Sequence, residues 1–167
     1  MSIVINGSAC SLPDDPRVSL LDLLRDSVGL TGTKLGCNQG ACCACTVLLD
    51  GQRVLSCLTL AVKADGHEVL TIEGLAADDA LHPLQQAFVR HDGLQCGYCT
   101  PGQICSAMAM LDEVERGDPS HVSLHLDAVP VLTREEIRER MSGNLCRCGA
   151  HNGIVAAIEE YAAVRFV

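Results

Sequence analysis

Eight of the eleven cysteines in this chain fall into two sets of four whose spacing could hold metal. Cys37, Cys42 and Cys45 follow the pattern CxxxxCxxC, with Cys57 as a more distant fourth thiol. That spacing suits a 2Fe-2S cluster, in which thiolates converge on two irons and their bridging sulfides while backbone amides face the sulfurs. Gly32, Gly36 and Gly40 permit the close backbone approach such a loop needs. The rival is a zinc site of four cysteines, but zinc sites are normally built from short CxxC knuckles, which the four-residue first gap does not match. A slipped set that uses Cys43 instead of Cys42 is a further alternative, and the spacing favours Cys42.

The second set pairs Cys96 and Cys99 (CxxC) with Cys146 and Cys148 (CxC), separated by forty-six residues. QCGYCTPG and GNLCRCG each lie just before or at an expected helix start. Two helix N-termini can thus turn positive dipole ends toward an anionic cluster. A CxxC alone could equally be a thioredoxin-like redox pair or half a zinc site. Sulfurs one residue apart are awkward for a zinc knuckle, and no βαβ pattern surrounds the CxxC, so a second 2Fe-2S cluster is expected. Two clusters on one short chain predict an electron relay. Cys10 and Cys105 read as small buried apolar residues, and Cys43 is left without a role.

The elements that must hold these thiols change character along the chain. Ser2 to Ile5 and Ser8 to Leu12 flank Asn6-Gly7, a strong hairpin signal, and Thr46 to Leu49 and Gln52 to Leu55 flank Asp50-Gly51. Ser19 can cap a helix carrying Leu20, Leu21, Leu23 and Leu24, with Gly29 as its stop. Gly32 to Ala44 is a glycine-punctuated loop bearing three cysteines, and His67 to Ile72 supplies a further strand. This predicts a mixed sheet crossed by one helix, a β-grasp-like unit. The alanine- and aspartate-rich segment Glu73 to Leu81 reads as a connection, and the rest is helical. Helices are expected over His82 to His91, from Pro101 through Met110, from a capping box at Thr133 and Glu136 to near Gly143, and over Ile154 to Val164. Asp112 to Val131 reads as a polar surface stretch. The predicted class is α+β, with a domain over 1–75 and a helical domain over 76–167 whose surface loop covers about 112–131.

Composition narrows the partners. In a chain of 167 residues, halves of roughly 80 residues have thin cores, and metal binding supplies part of their folding energy. The formal charge of −9 and the presence of only Tyr98, Tyr161, Phe88 and Phe166 as aromatics argue against nucleic acid. No apolar run is long enough to span a membrane. The opening MSIVINGSACSLP has no basic stretch and no twin arginine, so reduced thiols in the cytoplasm are expected, or the periplasm if a leader has been removed. The six histidines are scattered and read as surface residues. No phosphate loop, HExxH motif or GxSxG elbow is present.

GCNQGACCACTV (36–47), QCGYCTPG (95–102) and SGNLCRCG (142–149) together resemble the small iron-sulfur subunit of the molybdenum hydroxylase (xanthine oxidase) family, over nearly the whole chain. PSHV (119–122) and EEIRERMSGNLCR (135–147) are similar to the bacterial three-subunit aldehyde oxidoreductases. The resemblance implies an N-terminal plant-type ferredoxin-like domain and a C-terminal four-helix domain. It implies two partners, a large subunit with a molybdenum-pterin cofactor in its cytosine dinucleotide form and a medium subunit with FAD. It also implies that the cluster on Cys96, Cys99, Cys146 and Cys148 lies next to the pterin, with Gln95 and Cys148 nearby, and that the cluster on Cys37, Cys42, Cys45 and Cys57 lies toward the flavin. The chain would relay electrons from molybdenum to FAD and carry no substrate site or catalytic residue, while the complex oxidises aldehydes to carboxylic acids. Related hydroxylases acting on N-heterocycles or carbon monoxide are the alternative. A free two-cluster ferredoxin and a zinc-stabilised interaction module are more distant ones. Cys43 departs from the family, which has glycine at that position.

Overall fold

The computed structural model describes residues 1–76, 80–126 and 128–166, so parts of the expected connection and surface stretch lie outside the described residues. Both turn signals form hairpins. Asn6 and Gly7 have φ of 50° and 78°, and Asp50 and Gly51 have φ of 49° and 78°. Two successive left-handed residues make the tight turn whose twist matches that of the flanking strands. They join β1 (Ser2–Ile5) to β2 (Ser8–Ser11) and β3 (Thr46–Leu49) to β4 (Gln52–Leu55). β5 (Glu68–Leu70) completes a mixed sheet in the order β2-β1-β5-β3-β4, parallel between β1 and β5 and antiparallel elsewhere. This last strand is shorter than the expected 67–72. Asn6 pairs side chain to Thr71 through two hydrogen bonds of 2.9 Å, and the chain turns into a 3₁₀ segment at Ile72–Gly74.

The helix α1 (Leu20–Asp22), capped by the Ser19 hydroxyl accepting from the Asp22 amide at 3.1 Å, widens into a π turn over Leu23–Ser27. Its leucines pack on Ile3, Ile5, Val47 and Val69 to make the core of the sheet unit.

α2 (Pro83–Arg90), α3 (Thr100–Glu115), α4 (Arg134–Arg140) and α5 (His151–Arg165) form the helical unit around Phe88, Met110, Leu111, Ile137, Ile154 and Ile158. Three expectations need correction. α3 runs five residues past Met110, because Leu111 and Val114 are buried and Glu113 reaches Arg53 of β4; the surface stretch therefore starts after Glu115. α4 stops at Arg140, short of Gly143. The capping box at its start is half made. Thr133 accepts from the Glu136 amide, but the Glu136 carboxylate is taken by Ser123 and Arg140 instead. A complete box sits unforeseen at His82 and Gln85 of α2.

The two units meet along α3 and the β3-β4 hairpin, where Leu48, Cys105 and Ala109 are buried together. Beside this apolar seam Arg53 gripping Glu113 with two 2.8 Å bonds also donates to the Arg140 carbonyl at 2.7 Å. The Arg140 side chain is 3% exposed and bonded to Glu136, so the charge is buried with its partner. Among the described residues no helix is long and apolar enough to cross a membrane.

Candidate iron-sulfur sites

The first four thiols gather where the loop after α1 meets the β4 end of the second hairpin. Cys37 and Cys42 are hydrogen-bonded to one another, as are Cys45 and Cys57. Cys45 is buried and the other three are half-buried. The loop achieves this by turning left-handed at Asn38 (φ 54°), Gly40 (79°) and Cys43 (56°). A methyl on Gly36 would lie 2.7 Å from Cys42 Sγ, and one on Gly40 would strike Leu58 at 2.8 Å. The backbone approaches the sulfurs as a cluster loop must.

Amides face those sulfurs. The Ala41 N–H donates to Cys37 Sγ at 3.2 Å. The Gln39 amide, followed by the Cys42 thiol, lowers the Cys37 thiol to about 7. Burial, with the Cys57 thiol donating to Cys45, pushes Cys57 up to about 11. One thiol thus sits among donors that favour its anion while its companion is shielded. Those donors are what an iron-bound thiolate uses.

The second set forms at two helix starts, as expected: Cys96 and Cys99 precede α3, and Cys146 and Cys148 precede α5. Cys99 and Cys146 are hydrogen-bonded, and burial pushes Cys99 up to about 12. Cys146 is lowered despite its burial by the amides of Ala150, Gly149 and Cys148 and by the Cys99 thiol. The Ala150 N–H lies 3.4 Å from its sulfur. Cys96 and Cys148 are exposed. Cys96, Cys99 and Cys146 line a cleft of about 530 Å³ that also reaches Cys37, Cys42, Tyr98 and His151. Cys148 stands outside that lining, and Gln95 is exposed beside Cys96. Among the described residues no three ligating side chains close on the point a single ion would occupy. Paired thiols, inward amides and a roomy cleft fit a two-iron core with its bridging sulfides.

Of the remaining thiols, Cys105 is buried as expected, whereas Cys10 is only half-buried on the edge strand β2. Cys43 places its sulfur beside Gly143, where a methyl would lie 3.5 Å from it. The histidines are not all idle on the surface. His82 caps α2, accepting from the Leu84 amide at 3.2 Å, His91 pairs with Glu160, and His151 lines the cleft.

The sequence reading missed the ties between the two sets. The Leu145 amide, one residue before Cys146, donates to the Cys42 carbonyl at 3.1 Å. The Tyr98 hydroxyl donates to the Leu35 carbonyl at 2.6 Å. Asn144 is 5% exposed and bridges Cys43 and Gly102. Asn144 in a glycine-flanked loop signals local backbone bonding, but no spacing rule names a partner a hundred residues away.

Comparison with known proteins gives the same division of chemistry. A family model described as 2Fe-2S iron-sulfur cluster binding domain matches residues 3–71, and one described as 2Fe-2S binding domain matches 71–159. The aldehyde oxidoreductase iron-sulfur-binding subunit PaoA of Escherichia coli K12 is 56% identical over 162 residues, 97% of this chain and 71% of the relative. The caffeine dehydrogenase subunit gamma of a Pseudomonas species is 46% identical, over 95% of this chain and 88% of its own length. The crystal structure of quinoline 2-oxidoreductase from Pseudomonas putida 86 superposes with a TM-score of 0.84 at 44% identity, covering 99% of this chain and 93% of that one. The aldehyde oxidoreductase of Desulfovibrio desulfuricans superposes with a TM-score of 0.83 at 39% identity, and there 98% of this chain corresponds to 17% of a much longer one. Two 2Fe-2S domains in this order, with relatives that are subunits or segments of oxidoreductases, mean that the chain belongs to the iron-sulfur electron-transfer subunits of the molybdenum hydroxylase family.

Proposed function

We propose that Cys37, Cys42, Cys45 and Cys57 hold one 2Fe-2S cluster and that Cys96, Cys99, Cys146 and Cys148 hold the other, in domains divided at 75/76. The chain serves a three-subunit hydroxylase that oxidises aldehydes to carboxylic acids. Its large subunit carries a molybdenum-pterin in the cytosine dinucleotide form, beside Gln95 and Cys148, and its medium subunit carries FAD, toward the first cluster. When bound, the clusters supply single-electron steps that divide the two electrons of a hydroxylation, from molybdenum to the helical-domain site, then to the ferredoxin-like site, then to FAD. The protein's part is to fix the thiolates, donate amide hydrogen bonds and hold the sites together.

The observation that carries this reading is the Leu145 to Cys42 hydrogen bond, which leaves a single non-covalent step between a thiol residue of each set. The exposure of Cys96 and Cys148 supports a partner's cofactor approaching the outer side of the second set. Aldehydes are favoured as substrates because the 56% identical relative is named for them. N-heterocycles are the second reading, supported by the relatives named for caffeine and quinoline. The cytoplasm, where thiols stay reduced, is the compartment this reading favours.

The test is Cys148→Ala, which cannot ligate, in the purified complex. Aldehyde should no longer reduce the flavin, while the electron paramagnetic resonance signal of the first cluster persists. Normal flavin reduction with one cluster detectable would overturn the order. Assay of the unmodified complex on aldehydes and N-heterocycles decides the substrate class.

A further inference from the structure

We propose that Asn144 is a positioning residue that fixes the separation of the two clusters, and with it the rate of the electron step between them, by stapling the first-set loop to both segments of the second set. The inference rests on the eight-cysteine ligation proposed above.

The geometry is specific to an asparagine. The Asn144 side chain is buried, and Nδ2 lies 3.2 Å from both the Cys43 carbonyl and the Gly102 carbonyl. Both neighbours are acceptors, so only an NH₂ group can face them, and both of its hydrogens are used. Cys43 lies between two residues of the first set, Cys42 and Cys45. Gly102 is in the first turn of α3, three residues after Cys99, and Asn144 itself is two residues before Cys146. One amide group therefore joins the three segments that carry seven of the eight thiols, all but Cys57.

Three features make the staple stiff. The Asn144 carbonyl accepts from the Gln103 side chain at 2.8 Å, and Gln103 is itself 1% exposed. Cys43 has φ of 56°, a left-handed turn in which its carbonyl accepts from Thr46 Oγ1 at 2.8 Å as well as from Asn144. Gly102 has no room for a side chain: a methyl there would lie 2.5 Å from the Cys43 oxygen and 2.9 Å from that of Ala44. Loop and helix thus touch backbone to backbone, and the amide spans the contact. A buried, fully used amide is costly to lose, because two hydrogen bonds between separate segments go with it, even though the Cys43 carbonyl keeps Thr46 as a donor.

In the step concerned, one electron leaves a reduced helical-domain site and enters an oxidised ferredoxin-like site; no bond or proton changes hands. Only separation, orientation and potential can alter its rate, which separates a positioning role from a general structural one.

The experiment compares the wild-type complex with Asn144→Asp, which is nearly isosteric but turns oxygen toward both carbonyls, and with Asn144→Ala. Iron and sulfide content, the spectrum of each cluster and both potentials are measured first. The magnetic interaction between the two reduced clusters and the intercluster electron-transfer rate follow. With iron retained and each cluster's own spectrum and potential unchanged, the interaction should weaken. The rate should fall by about tenfold or more, on the scale at which small misplacements of reacting centres are felt. An unchanged interaction and rate overturn the proposal. Loss of iron from both variants also overturns it, since Asn144 would then serve cluster insertion. Wild-type complex lacking iron at one thiol set refutes the ligation reading instead, so the two failures are distinguishable.

Discussion

The first thiol set is drawn from one loop and the hairpin that follows it, Cys37 to Cys57, whereas the second joins two helix starts that are far apart in sequence. The loop site is crowded. Gly36 and Gly40 sit where any side chain would collide with Cys42 or Leu58. At the helix site Gly97 and Gly149 also turn left-handed, at φ of 78° and 80°, yet nothing lies within 4 Å of a methyl built on either. An irregular loop can hold a cluster only by excluding side chains and adopting unusual backbone angles. Helix ends arrive with their amides already aligned, so that site needs less enclosure and keeps two thiols, Cys96 and Cys148, on the outside.

The sharpest way to break this contrast is to remove one proposed ligand from each site. Cys42→Ala and Cys146→Ala should each cost the chain half its iron, but they should differ in what unravels. The loop from Gly32 to Ala44 has no regular structure of its own, so Cys42→Ala should destabilise the sheet unit by about 3 kcal/mol or more. The helices around Phe88 and Met110 keep a large apolar core, so Cys146→Ala should leave them folded. Hydrogen exchange across 32–45 and 100–115, read beside the iron content, checks this. Equal loss of protection at both sites would remove the distinction.

A second comparison tests crowding directly. Gly36→Ala places its methyl 2.7 Å from Cys42 Sγ and should abolish or shift the first cluster's resonance signal. Gly97→Ala meets only backbone strain, about 1 kcal/mol, and should keep the second cluster. The two spectra and melting temperatures decide. If Gly36→Ala proves as mild as Gly97→Ala, the loop is more pliant than its contacts indicate.

The smallest expected effect belongs to Cys43. Its thiol lies beside Gly143, and its φ of 56° suits glycine better. Cys43→Gly should leave iron content unchanged and shift stability by no more than about 1 kcal/mol, measured by chemical denaturation. Loss of the first cluster in this variant would mean that Cys43 and Cys42 had been assigned the wrong way round.

Much of this architecture is legible in the chain because its signals are short-range. Asn6-Gly7 and Asp50-Gly51 specify hairpins through φ preferences within two residues, and both form. The two helix starts beside the second thiol set follow equally local cues. The misreadings fall where distant partners decide. α3 continues past Met110 because its last turn is anchored by Arg53 of another unit, and Glu136 abandons its capping role for Ser123 and Arg140. Asn144 and the Leu145 amide belong with these: the residues that join the sites have partners a hundred positions away, which no periodicity records.

The uneven spread of the thiols also has a consequence for biosynthesis. Translation delivers Cys57 and completes the loop site ninety-one residues before Cys148 emerges. At ordinary ribosomal speeds the delay is roughly five to twenty seconds. All four thiols of the loop site are therefore on hand while Cys96 and Cys99 still await their partners, and the late helix closes the second site last.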